Sequence, residues 1–197
     1  THIKKTATGQ GITDNQVRCL LEDREKNIWI GTANGLNRLS NAAQIIHFFQ
    51  NEFERYGQLS DIYDITRLSN GAVIVATYGN GLFQLNEKEN KVIPLHQPFL
   101  SHTWMLQEID QKLYVTGHDK LITTPVSNYR FSETAFLRPY YRNTDLVLLA
   151  YRDRHGDTWY SIHGGQGLQR RKMGTDKQIH YSNKMKAHPF PHNYVNT

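Results

Sequence analysis

The chain has 197 residues, of which 38% are hydrophobic and 11% aromatic, a composition that indicates a folded protein and excludes intrinsic disorder. Its single cysteine, Cys19, excludes an intramolecular disulfide and any zinc site built on paired cysteines. The net charge is +5, but the basic residues are scattered, and their one run of three, at residues 170–172, favours a solvated strand end over a nucleic-acid patch. We therefore expect no nucleic-acid partner for this segment.

A repeat runs through the whole chain. The first copy comprises residues 17–23, 27–32 and 35–39, and three further copies begin at residues 62, 104 and 146. In the first, second and fourth copies the same 12-residue spacing recurs, from Val17 to Trp29, from Ile62 to Ile74 and from Val147 to Trp159. Residues 193–197 resemble the start of the first copy, so a fifth copy begins there. A fixed period of this kind is typical of a repeat architecture.

Each copy predicts strands rather than helices. Short runs rich in Val, Ile, Leu, Trp and Thr alternate with Asn, Asp and Gly, and no stretch keeps helical apolar spacing over three turns. In the first copy we expect four strands, A to D, joined by hairpin turns. They are A at residues 17–21, B at 28–31, C at 36–39 and D at 45–49.

The apolar pattern indicates sheets that are covered on both faces. Neighbouring apolar residues such as Leu20-Leu21 replace the alternation of a half-exposed strand. We expect Trp29, Trp104 and Trp159 to be packing residues in or between the sheets rather than sugar-stacking residues.

These features predict an all-β fold, a β-propeller with four blades of four-stranded antiparallel sheets that belongs to a larger propeller. The expected blades are residues 17–50, 62–95, 103–137 and 146–182, followed by the start of a fifth repeat at 193–197. Because no closing strand is evident, we expect an open arc whose exposed faces are covered by further blades or by a second copy in a homodimer.

The first copy resembles a known repeat. Its segments Val17-Arg-Cys-Leu-Leu-Glu-Asp, Asn27-Ile-Trp-Ile-Gly-Thr and Gly35-Leu-Asn-Arg-Leu are similar to the two-component-regulator propeller repeat. The second and fourth copies match well and the third in outline. The resemblance implies a periplasmic sensor domain of a hybrid two-component system, a protein that combines a sensor histidine kinase with a response regulator.

A function and partners follow from that resemblance. It implies a non-enzymatic input module in the periplasm, as the extracytoplasmic part of an inner-membrane protein, that binds a glycan-derived oligosaccharide and regulates kinase output. The expected partners are the oligosaccharide, further propeller blades and the membrane-linked kinase. The resemblance identifies neither the ligand nor the number of blades.

Ligand contacts are expected from the B-to-C turns and the D-to-A connections, because antiparallel order places these loops at one end of every blade. Aromatic rings beside cationic side chains suit the apolar faces and hydroxyl groups of sugars. The candidates are Tyr78, Asn80, His118, Asp119, Lys120, Tyr140, Tyr141, Arg142, His163 and Gln166.

Other chemistries have weaker support in the sequence. His188 and His192 lie four residues apart, but Pro189 and Pro191 prevent the helix that would place both on one face, so we expect neither a metal nor a cofactor. No pair of acidic residues stands out as a glycosidase pair. Two alternatives stay open, a propeller-fold lyase or glycosidase and a structural or protein-docking propeller.

Overall fold

The computed structural model describes residues 3–6, 11–42, 46–49, 61–89, 91–95, 102–117, 120–129, 132–133, 147–162, 167–175, 177–184 and 186. Every regular element within these ranges is a strand. No helix that could span a membrane occurs in the part of the chain that the structure describes.

Within the described residues, sixteen strands form four sheets. The first sheet contains β1 (Val17–Glu22), β2 (Ile28–Thr32), β3 (Gly35–Leu39) and β4 (Ile46–Phe48). The second contains β5 (Asp61–Arg67), β6 (Val73–Tyr78), β7 (Gly81–Asn86) and β8 (Lys91–Leu95). The third contains β9 (Thr103–Ile109), β10 (Lys112–Gly117), β11 (Lys120–Pro125) and β12 (Ser132–Glu133), and the fourth contains β13 (Val147–Arg152), β14 (Thr158–Ile162), β15 (Gly167–Arg171) and β16 (Gln178–Tyr181).

Each sheet follows chain order, with every strand antiparallel to the one before it. The prediction of four antiparallel sheets of four strands is confirmed. In each sheet we keep the letters A to D for the successive strands, so that β1, β5, β9 and β13 are the A strands. The start of the fifth repeat, at residues 193–197, lies outside the described residues.

The chain divides into two compact units, residues 1–106 and residues 107–197. The first unit has a core between its two complete sheets. Trp29 and Leu36 of the first sheet are fully buried in it, together with Ile62, Val75 and Phe83 of the second. Burial of this much apolar surface is the main source of stability in a fold without a disulfide.

The B strand of the second sheet shows why its sequence lacks alternation. All of its residues from Val73 to Thr77 are buried, and exposure begins only at Tyr78. A strand that is covered on both faces can be apolar at successive positions. The expectation of two-face coverage is therefore met for this strand.

The expectation is wrong for one face of the first A strand. Leu20 is 64% exposed, whereas its neighbour Leu21 packs against the core of the first unit. The two side chains point to opposite faces of β1, and the face that carries Leu21 is the one turned toward β5. Of this apolar pair, only Leu21 is thus covered in the structure.

A close approach between the first two sheets depends on Gly31. A Cβ atom at this position would collide with Cys19 Sγ and with the side chain of Ile62 on the second sheet. The missing side chain therefore lets β2 and β5 pack closely together.

One hydrogen bond recurs in the first and fourth sheets. The indole N–H of Trp29 donates to Asp23 Oδ2 at 2.9 Å, and that of Trp159 donates to Asp153 Oδ2 at 2.8 Å. Each aspartate opens the turn between strands A and B, six residues before its tryptophan. The pair therefore fixes the A-to-B turn to the B strand and satisfies a polar group that would otherwise be costly to bury.

An arginine completes the repeated arrangement. The guanidinium carbon of Arg38 lies 5.3 Å from the centre of the Trp29 ring, and that of Arg170 lies 5.2 Å from the Trp159 ring. Each arginine pairs directly with its tryptophan across strands B and C. A cation over an indole face is a favourable contact. Trp29 and Trp159 are thus packing residues.

Replacement of Trp29 by alanine should lower the free energy of unfolding by about 3 to 5 kcal/mol, because its ring is fully buried and its loss leaves a cavity. Urea denaturation followed by circular dichroism measures the change. Tyr151→Ala is the control, since Tyr151 is 52% exposed and should cost less than about 1 kcal/mol. Equal costs for the two variants would contradict the assignment of Trp29 to the core.

The fold should lose stability in acid through the aspartates that bond to the tryptophans. The hydrogen bond from Trp159 lowers the pKa of Asp153. Burial alone would raise the pKa of Asp23, but the hydrogen bonds from Asn27 and Trp29 outweigh burial and lower that pKa as well. A lowered pKa contributes stability that is present above the unfolded value, about 3.9, and is lost as the pH falls through the folded value.

Urea denaturation at pH 7 and pH 3 tests this expectation with the variant Asp153→Asn. The variant should lose less unfolding free energy between the two pH values than the wild type does. Glu25→Gln, an exposed carboxyl in the first A-to-B turn, is the matched control and should leave the difference unchanged. An unaltered pH dependence in Asp153→Asn would show that its carboxyl is not linked to folding.

Candidate ligand-binding site

The B-to-C turn of the second sheet meets the connection that leads into the third. Tyr78 ends β6, Asn80 follows in the turn, and His102 immediately precedes β9. An antiparallel bridge joins Tyr78 to His102. A B-to-C turn and a D-to-A connection therefore lie side by side, as antiparallel order requires.

Buried threonines hold this turn in place. The Thr77 hydroxyl donates to the Gly81 carbonyl at 2.8 Å and so closes the turn. The Thr103 hydroxyl accepts the Thr77 backbone N–H and donates to the Thr77 carbonyl, both at 2.9 Å. Both threonines are fully buried. The backbone that carries Tyr78 is thereby fixed to the start of β9.

Four rings gather beside the turn, and we call Tyr63, Tyr78, His102 and Trp104 the aromatic cluster. The Tyr78 ring lies 4.2 Å from His102 and 5.4 Å from Trp104, and Tyr63 lies 4.7 Å from Trp104, all with edge-to-face geometry. Such spacing and tilt are favourable between aromatic rings. Tyr78 is 41% exposed, so the cluster presents a ring to solvent.

A charged pair adjoins the aromatic cluster. Arg18 donates from Nε to Asp61 Oδ1 at 3.1 Å and from Nη2 to Asp61 Oδ2 at 3.0 Å. The guanidinium also lies 5.0 Å from the centre of the Tyr63 ring. The side chains of Arg18 and Asp61 are 35% and 23% exposed. We call these two residues the charged pair; its two-point geometry orients both groups beside the rings.

Local backbone irregularity places two of these residues. In the pairing of β1 with β2 the register shifts between Val17 and Cys19, and in that of β5 with β6 it shifts between Ile62 and Asp64. Each shift leaves one extra residue on the A strand, Arg18 in the first sheet and Tyr63 in the second. A β-bulge re-aims the side chain of its extra residue.

The pKa shifts describe the charge of the site near neutral pH. The hydrogen bond that Arg18 donates to Asp61 raises the pKa of Arg18, which stays cationic. Burial raises the pKa of the Tyr63 hydroxyl, which stays protonated and is able to donate a hydrogen bond. The site therefore offers a cation, a carboxylate and neutral donors next to exposed ring surface.

The A strands behind the site are tied to one another. The Cys19 thiol donates to the Ile62 carbonyl at 3.9 Å, and the Leu106 backbone N–H donates to Asp64 Oδ2 at 2.7 Å. Cys19 and Asp64 are equivalent in the repeat, each two residues after the start of its copy. The same strand position thus links the first A strand to the second and the second to the third.

The sequence-based candidates fall into three groups. Tyr78 is in the aromatic cluster, and Asn80 lies in the same turn. Lys120 begins β11 and pairs with Gly117, but the structure describes only its backbone. The remaining candidates lie outside the described residues; they are His118, Asp119, Tyr140, Tyr141, Arg142, His163 and Gln166.

Sequence reasoning missed most of the residues that surround Tyr78. Arg18, Asp61 and Tyr63 belong to A strands, whereas the predicted contacts lie in loops. Trp104 was expected only to pack. One signal was available: Arg18 and Tyr63 occupy the same position in their repeat copies, one residue after the start of each copy.

Within the described residues, no group of histidine, cysteine and carboxylate side chains is suited to hold a metal ion. A ring exposed to solvent and an ordered pair of opposite charges suit a ligand that has both apolar faces and hydroxyl groups.

Sequence comparison supports the repeat. Residues 11–34 match the family model of the two-component regulator propeller. The resemblance of the first repeat copy to that family is therefore confirmed. No curated protein matches the chain in sequence.

Solved structures share the fold. Two extracellular domains of proteins named as hybrid two-component systems, both from B. thetaiotaomicron, superpose with TM-scores of 0.72 and 0.75 at 19% and 10% identity. They match 98% and 97% of this chain but 25% of their own length, so the chain spans about a quarter of either domain. An inactive variant of virginiamycin B lyase from Staphylococcus aureus matches with a TM-score of 0.65 at 15% identity, over 89% of this chain and 59% of its own. The fold is a β-propeller, as predicted.

The thiol behind the site should be inert in the folded protein. Burial raises the pKa of Cys19 to about 12, so almost no thiolate exists at pH 8. We expect a soluble disulfide reagent to modify folded Cys19 at least about 100-fold more slowly than the urea-unfolded chain. The control is Ser127→Cys in a Cys19→Ser background, which places a thiol at an exposed position. A folded wild type that reacts as fast as this control would contradict the burial of Cys19.

Proposed function

We propose that this segment of a two-component-regulator propeller belongs to the ligand-sensing, extracytoplasmic part of a hybrid two-component protein. The repeat at residues 11–34 and the likeness to extracellular domains of such systems support this proposal. The segment acts there as an input module without catalytic activity of its own. The further blades and the kinase belong to the rest of the longer protein.

The proposed ligand is a glycan-derived oligosaccharide. The observation that carries this proposal is the exposed ring of Tyr78 beside the charged pair of Arg18 and Asp61. The apolar face of a sugar ring packs on an aromatic side chain, while its hydroxyl groups bond to charged and polar groups at the rim. Asp61 retains lone pairs beyond the two bonds from Arg18, so it is able to accept sugar hydroxyls as well.

The rigidity of the turn makes it suitable for sensing. Thr77 and Thr103 fix the Tyr78 backbone to the third A strand, and Asp64 fixes the second A strand to the third. A ligand held by Tyr78 therefore acts on elements from more than one sheet. A ligand that binds one arrangement of these elements more tightly than another shifts the protein toward that arrangement. Such a shift is what a signalling protein transmits.

The other candidate loops extend this proposal. We place ligand contacts also at Tyr140, Tyr141 and Arg142, in the connection that leads into the fourth repeat copy. Their aromatic and cationic side chains suit a sugar for the same reasons as those of the described site. Alanine at all three positions should weaken the affinity for a ligand that the wild type binds.

Titration calorimetry of the 197-residue chain against a panel of neutral plant and host oligosaccharides tests the proposal. For any sugar that binds, Tyr78→Ala should weaken the affinity at least about 10-fold, in keeping with loss of an aromatic anchor. Asp61→Asn should weaken the affinity less, because the side chains of the ion pair are 35% and 23% exposed and solvent screens their charges. Tyr151→Ala, an exposed tyrosine of the fourth sheet, is the matched control and should have no effect.

The same panel separates the alternative functions. Consumption of any sugar by the chain would support a lyase or glycosidase instead of a sensor. Absence of binding across the panel would favour a structural or docking propeller. Unchanged affinity in Tyr78→Ala would remove the aromatic cluster from the binding site.

A further inference from the structure

A second concave site lies within residues 107–197. It is a cavity of about 410 Å³, open to solvent, at the end of the sheets where strands A and B and strands C and D are joined. The turn after β9, the turn after β13 and the turn after β15 contribute to its walls. None of its residues belongs to the aromatic cluster or to the charged pair.

The lining of this cavity is cationic. Arg152, Arg171 and Lys172 line it together with a single described carboxylate, that of Asp110. Arg152 forms an ion pair with Asp110. The described lining therefore carries three cationic side chains and one carboxylate. Like charges gathered in a concave surface raise the local potential and attract an anion.

Hydroxyl groups add neutral donors to the lining. Tyr114 comes from β10 and Thr158 from β14. Burial raises the pKa of the Tyr114 hydroxyl, although Arg171 opposes the shift, so this group remains a donor at neutral pH. Hydroxyl and guanidinium donors together match the acceptors of an oxyanion.

The cationic wall is held by internal bonds. Asp157 accepts the Met173 backbone N–H at 2.8 Å and Arg170 Nε at 2.6 Å, which ties the turn after β15 to the turn after β13. Arg171 Nε donates to the Thr175 carbonyl at 3.3 Å and so spans its own turn. The groups are thus ordered before any ligand arrives, which lowers the cost of binding.

We propose that this cavity binds a small ligand that carries an oxyanion, a carboxylate or a phosphate group. Lys172 supplies a mobile positive charge at the rim, and Arg171 supplies an oriented fork at the wall. This site is independent of the proposed oligosaccharide site, because the two share no residue and differ in chemistry. Its failure would leave the oligosaccharide proposal untouched.

Titration of the 15N-labelled 197-residue chain with inorganic phosphate, and separately with succinate, tests the proposal at constant ionic strength. We expect saturable shifts in the amide signals of Gly156, Gly174 and Thr175 with at least one of the two anions. Phosphate alone would identify phosphate groups as the target, and succinate alone would identify carboxylates. A neutral oligosaccharide should leave these three signals in place.

Lys172→Gln should weaken the anion affinity at least about 5-fold, since it removes one charge from an exposed side chain and should not disturb folding. Arg171→Gln should weaken it further. The matched control is Arg24→Gln, an exposed arginine in the A-to-B turn of the first sheet, which should have no effect. Shifts that do not saturate, or equal weakening in Lys172→Gln and Arg24→Gln, would overturn the proposal.

Discussion

Coverage of the B strands on both faces is the constraint on which this architecture depends. The residues from Val73 to Thr77 have no exposed side, and Trp29 in the first sheet is equally buried. A B strand of this kind leaves no polar face to solvent, so the strand ends and turns beside it offer the exposed polar groups. That is where the structure places the ordered threonines, the aspartates that bond to tryptophans, and both candidate sites. The packing that holds the fold together thus also decides where a ligand is able to bind.

The two candidate sites lie at different strand ends and differ in the chemistry of their residues. The aromatic cluster lies where strands B and C are joined and is rich in ring surface, with one ordered ion pair beside it. The cavity in residues 107–197 lies where strands A and B are joined, and its described lining carries three cationic side chains and one carboxylate. In both places the turns are fixed by side-chain bonds, Thr77 to Gly81 in one and Asp157 to Met173 in the other. Binding groups on ordered turns lose little conformational entropy when a ligand arrives.

Much of the fold was predictable from the sequence, because the repeat, the strand periodicity and the Asn and Gly turns all agree. The four sheets and the packing role of Trp29 followed from these signals. The site was predictable only at Tyr78, which sits in a loop where ligand contacts were sought. Arg18 and Tyr63 were missed because a β-bulge has no signature in a single sequence when neither of its residues is glycine. Leu20 was expected to be covered, but the sequence of an apolar pair does not indicate which face of the strand a neighbouring sheet covers.

The bulges in the A strands also bear on how such a repeat diversifies. Arg18 and Tyr63 are extra residues, opposite no partner of their own, whereas Val17, Cys19, Ile62 and Asp64 on either side keep their cross-strand pairs. A substitution at an extra residue therefore leaves the ladder and its register intact. The first and second sheets carry one such position at the same place in their A strands, and the fourth sheet has the same shift after Val147. The side chain at such a position is therefore free to vary between repeat copies while the strand pairing of the scaffold stays the same.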